Sequence, residues 1–185
     1  MRFIGRVIAL LGLGVVLSAI VGAIAARSAK GRIVPIDAPD ADEIALVAVF
    51  EPLSFRSTAR SFRVGTVDCW YGGGVIDLRE ATLDPAGARL RVKAVFGGGQ
   101  ILVPDTWRVD LNVQGIGGIG DSRPHADRPA DAPHLTIEGI AIFGGFGVAT
   151  DMPEAAAQGL EAAVSKVAAR RQAAPETSED AVPVA

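Results

Sequence analysis

An aromatic residue followed by two glycines occurs three times in this chain, as Tyr71-Gly72-Gly73, Phe96-Gly97-Gly98 and Phe143-Gly144-Gly145. A weaker copy, Ile116-Gly117-Gly118, lies between the last two. Each copy follows a short strand-like run. Intervals of roughly 20 to 27 residues are the mark of stacked supersecondary units, which bury their apolar faces only against their neighbours. The pattern predicts a mainly β protein: a single β-solenoid or β-helix-like stack of short strands, with the aromatic-Gly-Gly motifs at its corners. Glycine reaches φ > 0 at little cost and lets backbones stack where a Cβ would clash. Tyr71, Gly72, Gly73, Phe96, Gly97, Gly98, Gly117, Gly118, Phe143, Gly144 and Gly145 are therefore the expected corner residues. The aromatics are expected to stack beneath one another inside the solenoid.

The strand runs have period two. Leu90, Val92, Ala94 and Phe96 alternate with Arg89, Arg91 and Lys93; Val109, Leu111 and Val113 alternate with Arg108, Asp110 and Asn112. Leu135, Ile137, Gly139, Ala141 and Phe143 share a face, Asp68–Leu78 holds two weaker strands around its glycines, and Ile44–Phe50 is an apolar opening strand. Glu51-Pro52 stands where the glycine pair would be, which marks a degenerate terminal copy. Gly120–Pro133, rich in Pro, Asp and Arg, reads as a protruding loop.

The chain divides into five segments: 1–27, 28–43, 44–150, 151–173 and 174–185. The first holds Val7–Ala26, twenty residues without a charge. At about 1.5 Å per residue such a run spans the roughly 30 Å hydrocarbon core of a bilayer, so it predicts a single transmembrane helix. A cleaved signal peptide is the competing reading, since Ala23-Ile24-Ala25 resembles a cleavage site. Gly14, Ser18, Gly22 and Ala26 recur every four residues. That spacing puts small side chains on one helix face, suited to homodimerisation or docking within the membrane, although membrane helices are rich in such residues anyway. Arg2 and Arg6 on one flank nearly balance Arg27, Lys30 and Arg32 on the other. The side is thus almost undecided, and the cytoplasmic side is the working expectation for the soluble part. Residues 28–43 read as a linker. Asp151 and Glu154 can form a capping box for an amphipathic helix at 151–173, with Leu160, Ala163, Val164, Val167 and Ala168 as its apolar stripe against the last strand pair. Residues 174–185 read as a disordered tail.

The chemistry-bearing residues form no constellation. A zinc site needs compact spacing and an ordered frame, so His125, Asp127, Asp131 and His134 read as solvated loop residues. Cys69, the one cysteine, has neither a local base nor an electropositive setting and reads as a small core residue. Asp77, Glu80 and Asp84 read as solvent-facing carboxylates. A net charge of −3 provides no global field for nucleic acid, and Arg89, Arg91 and Lys93 form the one compact basic stripe, better suited to an anionic membrane surface. The expectation is a non-enzymatic protein without cofactor or metal.

The segment Ala94–Val109, AVFGGGQILVPDTWRV, together with the later Ile142-Phe143-Gly144-Gly145, resembles the C-terminal domain of LiaF-type proteins, the cell-wall-active antibiotic response proteins. The resemblance covers roughly 44–150. It implies a β-solenoid-like domain on a bacterial membrane protein, with another membrane or signalling protein as partner and a role in modulating a sensor kinase during envelope stress. The chain departs from that family in having one apolar membrane run where the family has several. A structural alternative is a solenoid that self-assembles at the membrane, in the manner of bactofilins.

Overall fold

The computed structural model describes residues 35–124 and 126–152, and scattered positions of a helical segment from 154 to 169. Ten strands follow one another in the chain: β1 (Glu43–Val49), β2 (Leu53–Arg56), β3 (Val64–Trp70), β4 (Gly73–Asp77), β5 (Ala88–Val95), β6 (Gly98–Leu102), β7 (Arg108–Gln114), β8 (Gly118–Asp121), β9 (His134–Ile142) and β10 (Gly145–Ala149). The odd-numbered, longer strands form one five-stranded sheet in the order β1-β3-β5-β9-β7. The even-numbered, shorter strands form a second in the matching order β2-β4-β6-β10-β8. Every neighbouring pair is parallel. Each long strand leads through a corner of two or three residues into its short strand, so one long and one short strand make a level of the stack.

Both sheets contribute to one core. Leu46, Val67, Leu90 and Ile137 from the long strands meet Phe55, Ile76, Ile101 and Val148 from the short ones, with Phe62, Leu78, Val103 and Trp107 from the connections. The alternation read in Arg89–Val95 and its counterparts thus produces inward apolar and outward polar residues. Ile44–Phe50 is a terminal level, as its Glu51-Pro52 suggested: β1 has one strand neighbour, β3, and its other edge is covered by Ile36, which pairs antiparallel with Ala45. Residues 35–42, read from the sequence as linker, are tied to the sheets. Pro39 O accepts from Thr58 N, Asp42 O accepts from Arg63 N, and Asp42 Oδ1 accepts from Ser61 N.

The levels do not stack in chain order. β9–β10 lies between β5–β6 and β7–β8, which leaves β7–β8 at the far end. The side chains explain the exchange. Leu135 and Ile137 of β9 are fully buried, whereas Val109, Leu111 and Val113 of β7 are only half-buried and alternate with Arg108, Asp110, Asn112 and Gln114. The more apolar strand occupies the interior and the more polar one the edge. The connection 122–133 carries the chain back past the terminal level. Three arginines pin it to backbone carbonyls: Arg123 to Trp107 O, Arg128 to Asp105 O and Arg108 to Ala130 O.

Beyond β10, Met152 packs on Val75, Leu102 and Ala149, on the outer face of the short-strand sheet. The apolar stripe Leu160, Ala163, Val164, Val167 and Ala168 lies outside the described residues. So does the run Val7–Ala26 with Gly14, Ser18, Gly22 and Ala26. Among the described residues no helix is long and apolar enough to cross a membrane.

Candidate functional site

The corners correct the sequence reading in two respects. First, the aromatic, not the first glycine, takes the left-handed conformation: φ is 55° at Phe50, 53° at Tyr71, 52° at Phe96 and 51° at Phe143. The first glycines of the pairs are needed for backbone approach instead. A Cβ on Gly97 would lie 2.0 Å from Gly72 O, and one on Gly144 would lie 2.0 Å from Gly97 O. In this column three second glycines donate their N–H to the first glycine of a neighbouring level: Gly98 to Gly72, Gly145 to Gly97 and Gly118 to Gly144. Second, the aromatics stack beneath one another on the outside. Phe50, Tyr71, Phe96 and Phe143 form a continuous ladder with ring centroids 4.9, 5.1 and 5.0 Å apart and planes within 19° of parallel. Phe50, Phe96 and Phe143 are about half exposed or more. The left-handed turn swings each aromatic out of the inward alternation, and the strand spacing of about 4.8 Å sets the ring spacing.

Ile116-Gly117-Gly118 does not continue the ladder. β9 and β7 pair Ile140 with Gln114, and β10 and β8 pair Gly145 with Gly118, so the terminal corner is one residue shorter than the corner beside it. Gly115 and Gly117 take positive φ there, and Ile116 is left well exposed at the end of the row.

Beside the ladder runs a second apolar row. On the outer face of the long-strand sheet, Val49, Trp70, Val95 and Ile142 lie in register, each one residue before a ladder aromatic. The next row holds Val47, Asp68, Lys93, Ile140 and Gln114. Of the seven large apolar side chains exposed among the described residues, five fall on this corner: Phe50, Phe96, Ile116, Ile140 and Phe143. Their concentration makes a ridge, not a scatter of single exposed residues. Sequence reasoning missed Phe50, Val49, Trp70, Val95, Ile142 and Ile140 as parts of it. The signal was present: the outward position just before each aromatic is apolar, where the other outward positions carry many of the charges.

Stacking offsets the strain of these corners. A left-handed conformation costs an ordinary residue roughly 1–2 kcal/mol. A stacked aromatic pair returns about 0.5–1.5 kcal/mol beyond the area it buries, and the covered half of each ring adds about 2 kcal/mol. The contacts between rings therefore hold the four aromatics in their turns. They leave the ring edges outward, with Phe50, Phe96 and Phe143 about half exposed.

Away from the corner the same face is polar and charge-paired. Arg91 bonds Glu138 at 3.1 Å, Arg89 stands 3.7 Å from the same carboxylate, and Arg63 pairs with Glu43 at 3.1 Å. Lys93 lies 4.9 Å from the centroid of the Trp70 ring. Burial raises the pKa of Asp68, against the opposing charge of Lys93. The basic stripe Arg89, Arg91 and Lys93 is thus exposed on one face as expected, with Asp68 and Glu138 alongside. A shallow hollow of about 390 Å³ lies here, with Arg91, Lys93, Glu138 and Ile140 in its lining.

The remaining candidates separate. Asp77 is buried, not solvent-facing, and is clamped by Arg79 through both carboxylate oxygens. Asp84 accepts from Ala86 N and Ser61 Oγ, which lowers its pKa. His134 Nε2 is 2.7 Å from Asp110 Oδ2; His125 lies outside the described residues. Among the described residues no three His, Cys, Asp or Glu side chains are grouped to hold a metal ion. Cys69 is fully buried, and burial, with Asp68 beside it, pushes its thiol up to about 12. The folded protein is expected to be inert to a thiol reagent at pH 8 and to react with one equivalent once denatured. Stoichiometric labelling of the native state would contradict this placement.

No family model, curated protein or solved structure matches the chain.

Proposed function

We propose that the protein is a non-enzymatic, membrane-anchored interaction domain. In this reading its two parallel sheets are the walls of a short β-solenoid, Val7–Ala26 is a single-pass transmembrane helix, and the partners are the membrane and another membrane or signalling protein. The observation that carries the reading is the ridge: strained aromatics and neighbouring apolar side chains held outward, in register, on a frame whose core is otherwise well filled. The likeness of Ala94–Val109 and Ile142–Gly145 to the LiaF-type C-terminal domain supports envelope-stress signalling as the setting.

A second reading is favoured by the open edge of β7 and β8. These strands have neighbours on one side only among the described residues, and Ile116 is exposed there. Such an edge can pair with another copy, which supports a self-assembling, bactofilin-like structural role. The Ile36–Ala45 bridge across the β1 edge opposes head-to-tail growth at the other end.

Proximity labelling from the full chain in native membranes tests the first reading. The expected result is enrichment of a membrane or signalling protein, lost when Ile140 is changed to Asp and retained when Ser54, on the opposite sheet, is changed to Asp. Equal labelling by both variants would remove the ridge from the function. Sedimentation of the full chain in detergent separates the second reading, since a discrete monomer or dimer opposes it and a ladder of large oligomers supports it.

A further inference from the structure

The ridge is a long, apolar edge rimmed by polar residues, and the way the chain enters the domain limits what can cover it. Ile36 pairs antiparallel with Ala45, with Ile36 N donating to Ala45 O at 3.0 Å and Ala45 N donating to Ile36 O at 2.9 Å. Because β1 runs from Glu43 toward Val49 and the Phe50 corner, stepping back from Ile36 to Pro35 moves along β1 toward that corner. The chain therefore enters from the ridge side. Only residues 27–34 separate Ala26 from Pro35. Even fully extended, at no more than about 3.6 Å per residue, they reach roughly 30 Å. Whatever holds Val7–Ala26 is within that reach of Pro35, which leaves the β1 edge toward the end where Phe50 begins the ladder.

The side chains along the ridge fit an interfacial setting. Tyr71 has the amphipathic ring that settles at the headgroup level of a bilayer. Lys93, one row back, holds its Nζ 4.9 Å from the centroid of the Trp70 ring, a charge at the margin of the apolar rows that can turn on its flexible stem toward the headgroups. Arg89 and Arg91 lie in the rows beyond, at a distance from the corner suited to phosphate headgroups. The charge-paired rows give that face no strong net sign, so apolar insertion, and not attraction to anionic lipid, supplies the contact. A ladder of rings that cover one another's faces presents edges outward. Along the ladder itself the ring edges make a smooth apolar ridge, as a disordered acyl boundary requires, and the hollow beside Ile140 lies among the charged rows of Arg91, Lys93 and Glu138.

We infer that the aromatic ridge formed by Phe50, Tyr71, Phe96 and Phe143, with Ile140 and Ile116, is seated in the interface of the bilayer that holds Val7–Ala26. This inference rests on the anchor reading and deepens it. It lays the stack along the membrane surface and leaves the outer face of the short-strand sheet turned away. The protein partner then binds the faces that this seating orients toward it, so Ile140→Asp releases the partner by unseating the ridge.

The test uses the full chain reconstituted in vesicles of phosphatidylcholine and phosphatidylglycerol. Cys69 is buried, so a single introduced cysteine takes an environment-sensitive bimane label. Ile140→Cys and Ile116→Cys place it on the ridge, and Ser54→Cys places it on the outer face of the short-strand sheet. Ile140 and Ile116 lie outside the left-handed corners, so their variants avoid the strained positions. Lipids brominated near the headgroup end of the acyl chain are expected to quench both ridge labels at least about twofold more than the Ser54 label, as interfacial burial requires. Iodide in the aqueous phase is expected to show the reverse order. Resistance of the same vesicles to alkaline extraction reads the anchor independently. A chain that stays in the membrane while bromolipid quenches all three positions equally overturns the ridge inference alone. A chain released by alkali overturns the anchor reading and the inference with it. Ridge labels shielded from iodide yet unquenched by bromolipid would assign the ridge to a protein surface or a second copy, and also overturn it.

Discussion

Gly97→Val is expected to destabilise the protein by about 3 kcal/mol or more, while Gly118→Val changes it little. The two positions belong to the same motif, but their surroundings differ. A Cβ at Gly97 would sit 2.0 Å from Gly72 O and 3.0 Å from Gly72 N. Those atoms are backbone in the middle of the stack, and Gly72 O already accepts the N–H of Gly98. Relief would require the levels to separate, which breaks the glycine column and the ladder beside it. At Gly118 a Cβ meets nothing within 4 Å, because this strand forms the open edge. Gly144→Val should behave like Gly97→Val, since its Cβ would lie 2.0 Å from Gly97 O. Cys69→Ala belongs between the extremes, at about 1 kcal/mol for one lost buried sulfur group. Urea midpoints of the four variants in a common detergent decide the matter. Similar midpoints for Gly97→Val and Gly118→Val would mean that the close backbone column does not carry the corners.

That contrast also shows what could be read from the sequence. The alternation in Arg89–Val95 and Arg108–Val113 is a local property, and it correctly placed charges outward and Leu90, Val92 and Ala94 inward. The mainly β class expected from the aromatic-Gly-Gly repeat holds, and its strands lie in two parallel sheets. It could not reveal that β9–β10 sits inside β7–β8, because strand order depends on which strand loses least at an edge. Nor did it reveal which way the aromatics face. Extending the alternation by one residue puts Phe96 and Phe143 in the core, but a left-handed residue at the corner reverses the side. Glycine was the expected holder of that conformation, and the two functions of the motif are in fact divided: Phe96 turns the chain and Gly97 permits the approach. The functional surface was missed for this reason. The ridge exists only once the turn has placed the ladder beside Val49, Trp70, Val95 and Ile142, residues that looked like ordinary ends of strands.

Removing Arg123 is the other change expected to have a large effect, and its signature is a pH dependence. The Arg123 side chain is only 2% exposed and donates from Nε and Nη2 to Asp121 at 2.9 and 2.6 Å. Its Nη1 donates to Trp107 O at 2.9 Å and so closes the turn before β7. Arg123→Met leaves the Trp107 carbonyl without that partner and Asp121 without its fork. A fully buried broken pair costs about 3–5 kcal/mol; Asp121 is partly solvated, so about 2–3 kcal/mol is expected here. The hydrogen bonds from Arg123 hold the Asp121 carboxyl below its ordinary range, against the opposing effect of burial. Asp77 is also lowered: burial acts to raise it, and the hydrogen bonds and charge of Arg79, with Arg56, outweigh that effect. A carboxylate whose folded pKa lies below its unfolded value adds stability that is complete above the unfolded value, about 3.9. That stability is lost as pH falls through the lower, folded value. The native protein should therefore weaken steadily below about pH 4. In Arg123→Met the Asp121 share of this loss is already gone at neutral pH, so the variant's urea midpoint should fall less steeply between about pH 5 and 3, and the gap between the two proteins should narrow in acid. Parallel curves, with a gap that stays constant down to pH 3, would show that Arg123 stabilises through packing and the Trp107 carbonyl rather than through Asp121.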